Sequence, residues 1–398
     1  MSLAGALLSH FVNPLVAATG APPIPAAQGW IAAYDGAMGP PLNLAQAVPG
    51  DPPPPVLLAA LARAAGDGAT AAYGPIVGDP ALRRALVADM DRLYGIAGTG
   101  PGEGDVAITA GCNEAFFAAM IALARAGDEV ILPAPWYFNH QMTLDMLGIV
   151  AVPLPCRAQA GFVPDVADAR ARLSAKTRAI VLVSPNNPTG AIYPPASIAA
   201  FKCLADEAGV TLVVDETYRD FLPPGGAPHD LFAGGGWRRN FVQLYSFSKA
   251  YAIPGYRLGA LVAGTGFVAE AAKVLDSMQI CAPRVGQIAL AETIAGLVGY
   301  REANRDELGR RAAAFRGELA GAPGWEISSI GAYFAYVRHP AAGPAIAVAE
   351  DLARRAGVIA LPGSWFGPGQ DDHLRFAFAN VTAEALGGLG RRLSAFGS

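Results

Sequence analysis

The feature that most constrains the fold is an alternation of short apolar runs with amphipathic stretches. Apolar runs at residues 106–109, 129–132, 179–183 and 211–214 each stop at polar residues or proline, and residues 196–208 have helical periodicity. This alternation is typical of βαβ units and a mostly parallel sheet. Because ligands of open α/β sheets bind at the carboxyl ends of the strands, the residues that follow these runs are candidates for a functional site.

One further apolar run, residues 241–245, leads into the segment that carries Lys249, one of four lysines in the chain. A lysine in an apolar, hydroxyl-lined site has a lowered pKa, so its free amine can attack a carbonyl. The hydroxyls of Ser246 and Ser248 and the planar guanidinium of Arg257 suit a phosphate dianion. Together they predict pyridoxal phosphate on Lys249. A core lysine paired with a buried carboxylate is the alternative for such a short motif.

Two other strand ends carry groups that suit the same cofactor. Asp215 follows the run 211–214, where a carboxylate is costly unless it meets a positive partner such as a pyridinium nitrogen. A protonated ring nitrogen makes the cofactor an electron sink. Asn187, in a proline-rich turn, and Tyr218 are placed to hydrogen-bond the phenolic oxygen of the ring. A metal site of Asp215 and Glu216 is the alternative, but it lacks further clustered ligands.

A predicted helix start and an aromatic residue complete this set. The helix opens with three residues whose backbone can bind phosphate: Gly111, Cys112 and Asn113. Tyr137 follows the run 129–132 and offers a ring to stack on the pyridine. Trp136 is the alternative, and we favour Tyr137 because successive strand-end residues point to opposite sides. We interpret His140 as structural.

The segment 246–257 resembles the lysine segment of fold-type I pyridoxal-phosphate enzymes, specifically the class I/II aminotransferases. Further matches to this family run from about residue 43 to about residue 380. The resemblance implies an α/β fold with a mostly parallel central sheet flanked by helices, and a smaller α+β C-terminal domain. It implies an N-terminal arm (1–40), a large cofactor-binding domain (41–283) and a small domain (284–398) that the arm completes. We expect a homodimer with shared active sites. The prolines of residues 22–25 argue against regular helix within the arm.

The resemblance also implies roles for single residues. Tyr73 would reach the phosphate of the partner subunit, and Arg375 would bind the substrate α-carboxylate. The segment that closes over the substrate carries Ala47 where relatives usually have glycine, and Cys112 stands where they have a small hydroxyl or alanine. Trp30 or Tyr34 is expected to line the entrance, unless it only packs under the arm.

We therefore predict an aminotransferase that moves an amino group between an amino acid and a 2-oxo acid, with Lys249 as the base. A lyase or oxidase on the same fold and a non-catalytic regulatory module are the alternatives. Transaminases of dicarboxylates commonly add a second arginine from the partner subunit, and the segment 275–284 places Asp276 or an uncharged neighbour there. This favours a neutral, aromatic or sulfur-containing donor. If the assumed alignment of this segment is wrong by a few residues, Arg284 enters the substrate pocket and a dicarboxylate donor is favoured instead.

Composition limits the other classes of function. The net charge is −4, from 29 basic and 33 acidic residues, without a basic run, which argues against nucleic-acid binding. The apolar runs are too short to span a membrane. The N-terminal residues 1–8 lack the positive charge of a signal peptide, so we expect a cytoplasmic protein. The cysteines fit no metal pattern and are interpreted as buried thiols: Cys112, Cys156, Cys203 and Cys281.

Overall fold

The computed structural model describes residues 11–396, so residues 1–8 and the first ten positions of the predicted arm lie outside it. The helices are α1 Pro14–Ala18, α2 Pro23–Trp30, α3 Pro55–Gly66, α4 Pro80–Tyr94, α5 Cys112–Leu123, α6 Phe138–Leu147, α7 Val166–Arg170, α8 Pro195–Ala208, α9 Phe247–Ala250, α10 Thr265–Gln279, α11 Arg284–Thr293, α12 Val298–Ala320, α13 Ala345–Ala356 and α14 Leu389–Phe396. None of the helices in this range is long and apolar enough to cross a membrane.

The strands form one large and two small sheets. They are β1 Leu42–Asn43, β2 Val106–Thr109, β3 Glu129–Ala134, β4 Val150–Pro155, β5 Thr177–Val183, β6 Thr211–Asp215, β7 Phe241–Ser246, β8 Gly259–Ala263, β9 Glu326–Gly331, β10 Phe334–Arg338, β11 Val358–Ile359, β12 Leu361–Pro362 and β13 His373–Ala377. The large sheet has seven strands in the order β2-β8-β7-β6-β5-β3-β4.

The large sheet is parallel except at β8, which runs antiparallel to both β2 and β7. One face packs against α3, α4, α8 and α11, and the other packs against α5, α6 and α10. The predicted mostly parallel sheet flanked by helices is therefore confirmed. Because β2 runs in the direction of β7, the five strands that precede candidate residues all end at the same edge of the sheet.

A second core lies around the antiparallel sheet β12-β13-β10-β9. Side chains of α12, α13 and α14, such as Phe315, Leu352 and Leu389, bury its face. The short strand β1 joins this part of the molecule by pairing in parallel with β11. The chain therefore runs from the smaller sheet to the large one and back. The domain boundaries at residues 40 and 283 stay predictions.

The expectation that residues 22–25 avoid helix was wrong. Pro23 is the first residue of α2, and Pro25 lies within its first turn. The first N–H groups of a helix have no intrahelical acceptor, so proline loses nothing there, and its fixed φ suits the helix. The same reasoning explains the start of α4 at Pro80, where the side chain of the preceding Asp79 accepts a hydrogen bond from the N–H of Ala81.

Candidate active site

The carboxyl edge of the large sheet opens into a cavity of about 280 Å³. Its walls combine strand ends, the start of α5 and the segment after β1. The lining residues are Ile24, Gln46, Ala47, Val48, Cys112, Asn113, Tyr137, Phe138, Val183, Asn187, Asp215, Thr217, Tyr218, Ser246, Ser248, Lys249, Pro254, Arg257 and Arg375. Most of the residues singled out from the sequence thus lie in one place.

Lys249 projects from α9, the single turn that follows β7. Its Nζ donates a hydrogen bond of 2.7 Å to the carbonyl oxygen of Ala47. Burial, assisted by the positive charges of Arg257 and Arg375, lowers the pKa of the Lys249 amine to about 8. The amine therefore loses its proton far more readily than an exposed lysine and is available as a nucleophile or base.

Asp215 ends β6 and is 3% exposed. Burial alone would raise the pKa of its carboxyl, but His140 and Thr217 outweigh burial and hold the pKa below its ordinary value. His140 Nε2 lies 3.2 Å from Oδ2, and the N–H of Thr217 donates to Oδ1 over 2.9 Å. The group is therefore a carboxylate, ready to pair with a positive ring nitrogen.

Sequence reasoning missed the contact between His140 and Asp215. The ring of His140 stacks on Phe116, with 3.9 Å between the ring centroids, and this packing holds its Nε2 against the carboxylate. The available signal was its position three residues after Tyr137, because residues at that spacing share one face of a helix. Both lie at the start of α6.

Arg375 lies on β13 and is 1% exposed. Its Nη1 donates to Asn187 Oδ1 over 3.2 Å and its Nη2 donates to the carbonyl oxygen of Ala45. Within the described residues no carboxylate pairs with it, and burial lowers its pKa to about 10 although Tyr218 and Tyr137 oppose this. A buried guanidinium without a counter-charge is costly, so this side chain suits a carboxylate ligand.

The opposite wall combines Arg257 with the start of α5. Arg257 adopts the left-handed backbone region with φ 49°, and its guanidinium contacts the backbone of Gly111 so closely that a Cβ there would overlap it. Gly111 itself has φ 89°, which favours glycine. The hydrogen-bond partner of the Arg257 side chain is the carbonyl of Pro254, at 2.9 Å. No acid among the described residues pairs with Arg257.

Aromatic and small polar groups lie between these walls. The Tyr137 hydroxyl donates to Asn113 Oδ1 over 3.4 Å, and burial raises its pKa to about 12. Cys112 Sγ lies 3.7 Å from Asp215 Oδ1. The ring of Tyr218 packs on Tyr333, with centroids 5.3 Å apart. Tyr137 lines the cavity and Trp136 does not, and the stacking role of Tyr137 stays a prediction.

Other predicted residues lie outside the cavity. Gly111 lies behind Arg257, and Tyr73 is 77% exposed. Trp30 packs on Trp365, and the Tyr34 hydroxyl donates a hydrogen bond to the carbonyl of Gly39. Neither residue lines the cavity. The residue of α2 that does line it is Ile24.

Two alternatives raised by the sequence can be checked against the geometry. Glu216 turns away from Asp215 and accepts hydrogen bonds from Tyr94 and Gln243, and no cluster of metal ligands occurs among residues 11–396. Arg284 does not line the cavity of its own chain. Its Nη1 donates to the carbonyl of Ala69 over 2.6 Å.

This arrangement fits pyridoxal phosphate. Arg257, the serine hydroxyls and the start of α5 form a polar wall for a dianion, whereas Asp215 supplies the negative charge that a pyridinium nitrogen requires. Lys249, whose pKa is lowered to about 8, lines the same cavity. Buried charges without internal partners persist only where a ligand completes them, and this cavity holds charges of both signs.

Comparisons with known proteins agree with this geometry. The family model "Aminotransferase class I and II" matches residues 40–393. The valine–pyruvate aminotransferase of Mycobacterium tuberculosis is 37% identical over 220 residues, 54% of each chain. The aromatic aminotransferase ISS1 of Arabidopsis thaliana is 31% identical over 62% of each chain. The matched regions thus span about half to two thirds of these relatives.

A solved structure is similar over a longer stretch. A double mutant of Thermus thermophilus aspartate aminotransferase superimposes with a TM-score of 0.88 at 26% identity, covering 97% of this chain and 100% of that one. The chain belongs to the class I and II aminotransferase family, as the resemblance predicted. Enzymes of this family use pyridoxal phosphate to transfer amino groups between amino acids and 2-oxo acids.

Proposed function

We propose that this chain is a pyridoxal-phosphate-dependent aminotransferase in which Lys249 holds the cofactor and Arg375 binds the α-carboxylate of the donor. The observation that carries the proposal is that both cations lie in one cavity without a carboxylate partner, with Asp215 beside them. When bound, the cofactor supplies an electron sink for bond breaking at the substrate α-carbon.

The chain's own residues hold and orient the cofactor. Arg257, Ser246, Ser248 and the backbone at Cys112 would bind its phosphate, as phosphate sites at helix starts do. Asp215, held ionised by His140 and Thr217, would keep the ring nitrogen protonated. The ring of Tyr137 would stack on the pyridine. Asn187 and Tyr218 would hydrogen-bond the phenolic oxygen of the cofactor.

Lys249 is also the base of the reaction. A general base is most efficient when its pKa lies near the working pH, and the pKa of about 8 meets this condition. The carbonyl of Ala47 accepts one hydrogen of the Lys249 amine and so orients its lone pair. With pyridoxal phosphate and donor bound, the Lys249 amine would take the proton from the donor α-carbon.

The donor has a neutral side chain. Within the described residues the cations that line the cavity are Lys249, Arg257 and Arg375, and each already has a role. A distal carboxylate would thus find no cation among the described residues of its own subunit, which argues against dicarboxylates. Apolar side chains such as Ile24, Val48 and Phe138 favour a neutral, aromatic or sulfur-containing donor. The names of the valine and aromatic relatives support this choice.

The active enzyme is a homodimer with shared sites. Tyr73 is a large aromatic residue with 77% of its surface exposed, next to a glycine whose neighbour across the chain is Arg284. A partner subunit that covered this segment would bury the ring of Tyr73. The Tyr73 hydroxyl would then lie near the cofactor phosphate of the partner subunit. Sedimentation of the holoenzyme, with Tyr73→Phe as a test of cofactor affinity, checks this arrangement.

The deciding experiment is borohydride reduction of the holoenzyme followed by proteolysis and mass spectrometry. We expect the reduced cofactor on the peptide that contains Lys249, and no turnover in Lys249→Ala. Label on Lys176, Lys202 or Lys273 would contradict the proposal. Incubation of the same holoenzyme with donor alone distinguishes other reactions on this fold, because ammonia released without a 2-oxo acid acceptor would indicate elimination or oxidation.

A further inference from the structure

Gln46 occupies a special place in the cavity wall. It lies between Ala45, whose carbonyl accepts a hydrogen bond from Arg375, and Ala47, whose carbonyl accepts one from Lys249. The donor must place its carboxylate at Arg375 and its α-carbon within reach of Lys249. The residue that bridges these two contacts therefore lies beside the bound donor, and its side chain lines the cavity.

The amide of Gln46 has one hydrogen-bond partner among the described residues, a second glutamine at the solvent-exposed side. Gln28 Nε2 donates to Gln46 Oε1 over 3.2 Å. Gln28 belongs to α2, which is anchored because Ala27 packs with Ile359 and Leu361 in a small apolar core. The backbone of Gln46 is also fixed, since its carbonyl accepts a hydrogen bond from the N–H of Val48 over 3.0 Å.

This arrangement leaves one polar group of the wall without a partner. With Oε1 occupied by Gln28, the Nε2 of Gln46 makes no hydrogen bond to any residue in the range 11–396, although the residue lines the cavity. Its neighbours there, Ile24 on α2 and Val48, offer no acceptor in their side chains. An acceptor supplied by the ligand would complete this site.

We infer that Gln46 determines specificity by donating a hydrogen bond from Nε2 to a neutral acceptor in the donor side chain, so that the enzyme favours donors such as glutamine over apolar donors of equal length. The inference deepens the proposed function and rests on its placement of the donor between Lys249 and Arg375. An uncharged amide satisfies the bond without bringing a second negative charge into a cavity that has no cation to receive it.

Binding measurements on the cofactor-loaded protein test the inference without relying on turnover. The probes are 5-amino-5-oxopentanoate and hexanoate, which have the chain lengths of glutamine and norleucine but lack the amino group. Calorimetric titration gives the ratio of their dissociation constants. We expect the amide probe to bind more tightly, and Gln46→Met, which keeps the volume, to reduce this preference about 3- to 10-fold. The ratio of kcat/KM for glutamine to that for norleucine should fall in parallel.

Gln28→Met is the matched control, because it makes the same chemical change outside the cavity and leaves the Gln46 amide in place. We expect it to change the ratio about twofold or less, because only the hydrogen bond from Gln28 to Gln46 is lost. Gln46→Arg should raise kcat/KM for glutamate relative to glutamine at least about tenfold, since it supplies the missing cation. A preference that survives Gln46→Met unchanged would overturn the inference, and because binding is measured directly, this holds even if the holoenzyme transfers no amino group.

Discussion

Arg375 and Arg301 are buried to nearly the same degree, 1% and 4% exposed, but their surroundings are opposite. Arg301, on α12, pairs with Asp89 at 2.5 and 3.0 Å and with Asp220 at 2.7 Å. Although burial alone would lower its pKa, these acids raise it above the ordinary value. Arg375 has no acid partner among residues 11–396, and burial lowers its pKa.

The difference distinguishes a structural cluster from a ligand site. The cluster around Arg301 contains its own counter-charges, so it links α4, α12 and the turn after β6 without any ligand. The cavity instead combines Lys249, Arg257 and Arg375 with one carboxylate that already contacts His140. Burial of charge by itself indicates neither role. The presence or absence of an internal partner decides between them.

The largest effect is expected from Arg301→Met. The substitution leaves Asp89 and Asp220 buried without their main partner, so the free energy of unfolding should fall by about 3–5 kcal/mol. The kcat of the folded enzyme should change little, because Arg301 does not line the cavity. Urea denaturation and steady-state kinetics check both. The triple variant Asp89→Asn, Asp220→Asn, Arg301→Met removes the stranded charges and should recover much of the stability.

Arg375→Met should have the converse result. Its removal strands no carboxylate, so the free energy of unfolding should stay level or rise, whereas kcat/KM for every amino-acid donor should fall on the order of 10²-fold or more. Comparing the two methionine variants in the same assays tests the distinction directly. A loss of stability in Arg375→Met as large as that in Arg301→Met would mean that Arg375 has a structural role.

Many of the cavity residues could be predicted from the sequence, because they follow strands. Lys249, Asp215 and Asn187 come directly after apolar runs, and parallel strands bring such positions to one edge. The start of α5 at Cys112, directly after Gly111, and the start of α4 at Pro80 follow from local helix chemistry.

The parts that were not predicted depend on tertiary contacts. The helix α2 forms over a proline-rich stretch because its first turn needs no N–H donors and Ala27 finds an apolar core. His140 meets Asp215 only because Phe116 of α5 holds its ring. The pairing of Gln28 with Gln46 joins two segments with no shared sequence pattern. Helical spacing places His140 on the same face as Tyr137, but the sequence does not specify which side chains these residues meet.

The pH dependence of the free energy of unfolding tests whether Lys249, like Arg375, is a buried cation without an internal acid partner. In the cofactor-free protein its pKa is lowered to about 8, whereas the unfolded chain keeps an ordinary lysine pKa near 10.4. Between these values the unfolded state binds more protons, so stability rises with pH. The free energy of unfolding of the unaltered protein minus that of Lys249→Met should rise by about 2 kcal/mol between pH 8 and 10. A flat difference would mean that the amine is not buried.

The smallest effect is expected at Cys112. Burial and the nearby Asp215 raise the pKa of the Cys112 thiol well above its usual range, so the group is a neutral thiol and adds no charge to the cavity. Its contact with Asp215 Oδ1, at 3.7 Å, is a weak hydrogen bond, and the phosphate contact expected here uses the backbone. Cys112→Ser keeps a donor and Cys112→Ala removes it. Both should retain kcat/KM within about threefold, the scale of one modest hydrogen bond.

A matched variant separates charge from hydrogen bonding at this position. Cys112→Asp would place a second carboxylate beside Asp215, and the two acids would repel each other. The cations of the cavity would not neutralise it, because they bind the phosphate and the substrate. We expect it to weaken cofactor binding far more than either neutral variant, as measured by cofactor absorbance during dialysis. A loss in Cys112→Ala as large as that in Cys112→Asp would show instead that the thiol itself holds Asp215 in place.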